Sequence, residues 1–163
     1  VIQEHNKILY IGSNSGVISI WDLNNYSNIK FINSFNDHKD QVFSIIKKID
    51  KNGDVLFISA SCDKSIKIWK NNNIINSIET DSEIISMVSL EGEGYENNVA
   101  VGDTDDSISI FNIKDGNRIQ KFNGHSNNIY TIIQSNKTKD ILISGSHDLS
   151  IKFWDIKNGE CLN

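Results

Sequence analysis

One twelve-residue pattern occurs four times in this chain. Residues 11–22 read IGSNSGVISIWD, 59–70 SASCDKSIKIWK, 101–112 VGDTDDSISIFN and 144–155 SGSHDLSIKFWD. Each carries an aromatic marker, Trp21, Trp69, Phe111 or Trp154, at intervals of 48, 42 and 43 residues. Polar and apolar residues alternate before each marker, as a strand requires. A period of roughly 40–45 residues made of short strands is the signature of β-propeller blades, about four strands each. Such a unit cannot bury its own apolar face and must stack on neighbours. The predicted fold is therefore all-β, built of blades of four antiparallel strands.

Each repeat parses into strands and turns. The last gives Ile129–Gln134, Ile141–Ser144 and Ser150–Trp154, with Asn158-Gly159 as a hairpin signal. An outer strand begins at Glu160–Asn163. The second gives Val42–Ile46, Leu56–Ser59, Ser65–Trp69 and Ile74–Ile78, with Asn52-Gly53 turning the first pair. The third gives Ile84–Ser89, Val99–Gly102, Ser107–Phe111 and Arg118–Phe122, its first turn stretched by residues 91–98. The first has only Ile8–Ile11, Val17–Trp21 and Ile29–Phe35, because Val1–His5 is too short and polar for an innermost strand. The boundaries are blade one, incomplete, at 6–35, blade two at 38–78, blade three at 81–122 and blade four at 125–163. That makes three complete blades and one lacking its innermost strand. The whole of 1–163 reads as a partial propeller cut from a longer chain, since it has no initiator Met and an incomplete first blade. Such a segment exposes apolar blade faces at both ends of its arc and is expected to self-associate.

Charge narrows the partners. Twenty-one acidic residues outnumber sixteen basic ones, and Arg118 is the sole arginine. That opposes a nucleic-acid footprint, which needs a basic stripe, and an arginine cluster for phosphorylated partners. No apolar run approaches the roughly 18–20 residues of a membrane span, and no secretory signal is visible. Cys62 and Cys161 stand at non-equivalent repeat positions and read as free thiols of an intracellular, cytoplasmic protein. Two Asn-x-Ser/Thr matches, at Asn25 and Asn136, are what chance gives in so asparagine-rich a chain.

Further pairs of residues bracket the repeats. Gly124-His125 precedes Trp154-Asp155, and Asp37-His38 precedes Trp69-Lys70. The first repeat keeps Trp21-Asp22 alone. The third carries Thr80-Asp81 and Phe111-Asn112 in those places. A Gly-His pair followed after about 25–30 residues by Trp-Asp resembles the WD-repeat, or G-protein-beta-like, propeller family. The resemblance runs from Ile8 to the end of the chain. It implies a buried hydrogen-bonded set within a blade: His38, Ser59, Asp63 and Trp69 in the second, and His125, Ser144, Asp148 and Trp154 in the fourth. The third has Asp81, Val101, Asp105 and Phe111 at these places. Such a network rigidifies a sheet only when every member is satisfied, so the third blade is expected to be the least stable.

A Ser-His-Asp set also suggests nucleophilic catalysis. Here it recurs in two blades, as a structural device does, and lacks a nucleophile elbow. Residues 50–54 hint at a calcium loop, but its twelfth position is Ser61, where a bidentate Glu is needed. Asp103 and Asp106, beside Asp105, read as solvated. No metal site and no cofactor are implied: two Cys and four His never fall at zinc spacing.

What remains is a surface. The resemblance implies docking where the innermost strands begin and the second-to-third strand turns lie. The matching positions are Gln41, Phe43 and Cys62 in blade two, Ile84, Ser86 and Thr104 in blade three, and Asn128, Tyr130 and His147 in blade four. Phe43, Ile84 and Tyr130 stand out, because hot spots favour large rigid side chains. The function read from the sequence is a non-catalytic protein–protein interaction scaffold, a module of a larger protein, with protein partners and the remaining blades of its own propeller. The alternative is the substrate-targeting module of a kinase or ubiquitin ligase whose catalytic part or adaptor lies outside this segment.

Overall fold

The computed structural model describes residues 8–163. Fourteen strands fill it, without a helix: β1 Ile8–Gly12, β2 Ile18–Asp22, β3 Lys30–Phe35, β4 Val42–Ile49, β5 Val55–Ser61, β6 Ser65–Lys70, β7 Asn73–Glu79, β8 Ile84–Ser89, β9 Asn98–Asp103, β10 Ser107–Asn112, β11 Arg118–Asn123, β12 Ile129–Gln134, β13 Ile141–Ser146 and β14 Ile151–Asp155. They pair in chain order into four antiparallel sheets: β1-β2-β3, β4-β5-β6-β7, β8-β9-β10-β11 and β12-β13-β14. Blades two and three have all four strands. Where blade four was expected to be complete, its outer strand is a single bridge, Trp154 to Cys161. The innermost strand judged missing from blade one falls in residues 1–7, outside the described residues.

The core lies between the sheets. Leu56, Ile58, Ile66, Ile68 and Ile78 of blade two meet Ile84, Met87, Val99, Val101 and Phe111 of blade three. Leu90, Ala100, Ile108, Ile110 and Phe122 of blade three meet Ile129, Ile132, Leu142 and Trp154 of blade four. Between blades one and two the filling is aromatic: Tyr10 lies 4.5 Å from Phe57, and Phe57 stacks on Trp69 at 5.2 Å. Each blade thus offers apolar residues on both faces.

Small residues let the sheets close. The four repeats align Gly12, Ala60, Gly102 and Gly145 on their second strands. A Cβ on Gly12 would stand 2.7 Å from Val42 of the next blade, and one on Gly102 would stand 2.8 Å from Ile129. At these two glycines a side chain would displace the neighbour. The stretched turn of blade three serves as a clasp. Its Tyr95 hydroxyl donates to Asp140 at 3.0 Å, and its Glu91 pairs with Lys139 at 2.7 Å, both in blade four.

The outer strands carry bulges. The register slips at Ile32, Ile75 and Ile119, each about half exposed. A bulge twists an edge away from flat pairing, a common defence of exposed strand edges.

Blade four's outer face is open. Its Ile151 and Phe153 are 64% and 38% exposed, whereas the matching Ile108 and Ile110 of blade three are 0% and 1% exposed beneath a neighbour. The segment 1–163 prepared alone should therefore self-associate through this face. Sedimentation velocity across a concentration series should show concentration-dependent oligomers; a monomer throughout would mean that the open face is stable in water.

Candidate functional site

The polar sets of blades two and four take the expected form. His38 Nδ1 lies 2.9 Å from Asp63 and its Nε2 lies 2.8 Å from Ser59 Oγ. The Trp69 indole donates to the same hydroxyl at 2.9 Å. In blade four the corresponding distances are 2.7, 2.7 and 2.8 Å, among His125, Asp148, Ser144 and Trp154. The donors run in one direction: indole N–H to Ser oxygen, Ser O–H to Nε2, Nδ1–H to carboxylate. That order requires the neutral Nδ1–H imidazole. Each carboxylate also accepts from its own turn. Asp63 takes the Ser65 amide and hydroxyl, and Asp148 takes those of Ser150.

This is the donor order of a catalytic triad, and it cannot act as one. Ser59 and Ser144 are 0% and 1% exposed, each under a Trp indole. A nucleophile must meet its substrate; these hydroxyls meet only protein.

Blade three departs from its expected alignment by one residue. The amides of Cys62, Thr104 and His147 donate to the carbonyls of Gln41, Glu83 and Asn128. Glu83 is therefore the equivalent of Gln41, and Thr80, rather than Asp81, stands in the histidine place. Asp81 is exposed and paired with Arg118. Val101 and Phe111 replace Ser and Trp, both buried. Thr80, Val101, Asp103 and Phe111 help line a small cavity of about 10 Å³. Replacing both partners of a buried hydrogen bond by apolar groups can be nearly neutral, which removes the ground for expecting this blade to be weakest. Nor is Asp103 solvated. It is 7% exposed and accepts from the Asp105 amide at 3.0 Å and from the Ser107 amide and hydroxyl at 2.9 and 2.6 Å. Asp105 accepts from Ser82 at 2.5 Å. Two carboxylates share the work that one does in blades two and four.

The shift also corrects two expected surface residues. Ile84 is 0% exposed and packs against blade two. Ser86 is 7% exposed and donates to the Ile129 carbonyl of blade four at 2.9 Å. Both are seam residues. The equivalents of Gln41 and Phe43 in blade three are Glu83, which is exposed, and Ile85, which is buried.

The remaining positions share one geometry. The innermost strands slip register between Val42 and Ser44, Ile84 and Ser86, and Ile129 and Thr131. The extra residues are Phe43, Ile85 and Tyr130. A bulge leaves its extra residue unpaired and re-aims the side chain. Phe43 and Tyr130 are 50% and 53% exposed, while Val42 and Ile129 beside them are buried. Blade two is covered on both faces, so the exposure of Phe43 is no effect of the open end. Ile85, at 8%, is covered. Gln41, Cys62, Thr104 and Asn128 are partly exposed, and His147 is exposed. The His147 ring stands 5.9 Å from Tyr130, edge to face.

The sequence shows no sign of the bulge. A one-residue slip has no composition of its own, and Ile84-Ile85 is two isoleucines in a row. The left-handed turn residues are equally silent. Gly16, Lys64, Asp106 and Leu149 occupy equivalent places with φ between 63° and 81°. Leu149, 96% exposed, is the unexpected one.

Cys62 is a free thiol in this region. Burial first, then the carboxylates of Glu83, Asp40 and Asp63 around it, push its pKa up to about 11. It is a thiol and not a nucleophile at neutral pH.

The sequence profile described as WD domain, G-beta repeat matches residues 29–70 and 116–155. The tRNA (guanine-N(7)-)-methyltransferase non-catalytic subunit wdr4 of Dictyostelium discoideum is 30% identical over 98% of this chain and 37% of its own length. The E3 ubiquitin-protein ligase COP1 of Pisum sativum is 24% identical over 87% of this chain and 20% of its own. The crystal structure of the WD40 beta propeller domain of Doa1 superposes with a TM-score of 0.78 at 18% identity, covering 99% of this chain and 50% of that one. The chain thus spans well under two thirds of these proteins.

Two predictions follow from the polar sets. Ser144→Ala should destabilise by about 1–3 kcal/mol, because it strands the His125 and Trp154 nitrogens in the interior. Denaturant melts of the two proteins decide it, and an unchanged midpoint would mean that the hydroxyl is dispensable. The second concerns acid. Burial lowers the His38 pKa, and this outweighs the adjacent Asp63. At Asp63 burial works the other way, but hydrogen bonds from Ser65, the Lys39 amide and His38 leave it below the usual range. For both groups the unfolded chain binds the proton first, so stability falls as pH falls. Melting midpoints should be highest above about pH 6.5, decline as His38 charges, and decline again below about pH 4 as Asp63 protonates. A midpoint constant from pH 7.5 to 5 would contradict a neutral, buried His38.

Proposed function

From the premise that this chain belongs to the WD-repeat family, we propose that it is a non-catalytic interaction scaffold that captures protein partners at the turn end of its blades. One observation carries the reading: two bulged aromatics, Phe43 and Tyr130, stand half exposed at equivalent places, each next to a buried residue, Val42 or Ile129. Large rigid side chains free of hydrogen-bonding duties are what hot spots are made of. Gln41, Cys62, Thr104, Asn128 and His147 lie at the same end of the blades, with Glu83 as blade three's contribution. Similarity to a protein described as a non-catalytic subunit supports the same reading.

The apolar outer face of blade four supports a second contact, with further blades of the same propeller. Similarity to an E3 ubiquitin-protein ligase favours, as a second reading, a substrate-targeting module within a larger enzyme. Ubiquitin transfer to captured partners by the full-length protein would separate the two. The free thiols Cys62 and Cys161 support an intracellular, cytoplasmic setting.

Tyr130→Ala in the full-length protein should weaken binding of a captured partner by some thirtyfold, about 2 kcal/mol, and leave the thermal melt in place. A binding isotherm and a melt on one sample read both. Unchanged affinity would move the docking site elsewhere, and a collapsed melt would make Tyr130 a packing residue.

A further inference from the structure

Resting on the reading that the turn end is the docking surface, we propose that its occupant is a basic segment of a protein partner, extended and rich in Lys or Arg, with one apolar side chain set against Tyr130.

The charges of the two ends differ. The residues between strands at the docking end, 13–17, 36–41, 62–64, 80–83, 104–106, 124–128 and 147–150, hold eight carboxylates, of which Asp63 and Asp148 are nearly buried in the polar sets, and two lysines, Lys39 and Lys64. Among the described residues only Asp81 of these has a Lys or Arg partner, Arg118. At the opposite end, residues 23–29, 50–54, 71–72, 90–97, 113–117, 135–140 and 156–160 hold eight carboxylates and five lysines. There Asp54, Glu91 and Asp140 are each ion-paired. The excess negative charge therefore sits at the docking end and is left unneutralised. The neutral His38 does not cancel Asp63. Asp40 and Asp63 of blade two and Glu83 of blade three gather around Cys62, across the seam between the blades.

The apolar part lies apart from this charge. The His147 ring stands edge to face with Tyr130, and Leu149, two residues further on, projects 96% exposed from a left-handed turn. A left-handed Leu is unusual, and its full exposure leaves apolar surface in water unless something covers it. The surface thus has two parts: an apolar anchor on blade four and a run of carboxylates over blades three and two. The complement is a chain with an apolar residue followed by cations. Charges of this kind act on encounter rate and partner choice more than on contact energy. They repel nucleic acid and acidic peptides.

The test uses the full-length protein and three fluorescent peptide pools, each with one central Leu or Phe flanked by Lys, by Ser or by Glu. Anisotropy should show the Lys pool binding about tenfold or more tighter than the Ser pool, with the Glu pool weakest. The advantage should shrink between about 50 and 300 mM salt as the Debye length falls. Glu83→Gln with Asp106→Asn, both chosen to keep the local backbone, should slow association of the Lys pool severalfold and leave the Ser pool unchanged. Tyr130→Ala should weaken both. Equal binding of the Lys and Ser pools, with loss on Tyr130→Ala, would overturn the basic occupant and leave the docking surface standing. Loss in the charge variants alone would overturn the aromatic anchor. Binding of no pool would overturn both.

Discussion

Everything in this molecule rests on the approach of each blade's innermost strand to the second strand of the blade before it. A sheet with two apolar faces is stable only when both are covered. The seam has no room for a side chain at Gly12 or Gly102, where Val42 and Ile129 of the next blade arrive. Ala60, 0% exposed, is the largest residue the four repeats place there. That contact fixes how deeply the blades interlock. It also fixes where Ser86 can reach across to the Ile129 carbonyl, and which strand positions are sealed inside.

The polar sets of blades two and four are secondary to that seam. They lock the loop entering each blade against its own second and third strands. Blade three shows that the seam can do without them. Thr80, Val101 and Phe111 leave no orphaned nitrogen or hydroxyl, and Asp103 takes over the turn amides from within. Its strand β9 is nonetheless buried at every residue.

Much of this could be read from the chain. The four-fold pattern and the strand positions follow from residue type and spacing, and both His–Ser–Asp–Trp sets follow from the resemblance to the WD-repeat family. The failures have one physical origin. Where blade three lacks a histidine, nothing in the sequence marks the phase of the entering loop. Counting from Asp81 instead of Thr80 then moved two seam residues, Ile84 and Ser86, onto the surface. Asp103 was misread for a related reason. A carboxylate in a run of Asp residues looks solvated until its two hydrogen-bonding neighbours, the Asp105 and Ser107 amides, are seen to fold over it. The short outer edge of blade four depends on a ladder that forms a single rung.

The inner-strand bulges have an evolutionary consequence. At a residue outside the ladder, pairing and packing place few demands on identity, so substitution there is screened mainly by what the molecule binds. Phe43 and Tyr130 are different side chains on one backbone geometry, while Ile85 on the same geometry is packed over. A repeat that can set aside such a residue can duplicate and still diversify, because each new copy brings a sealed seam and a position outside the ladder. Recognition in this architecture can then drift from partner to partner without reopening the question of how the chain folds.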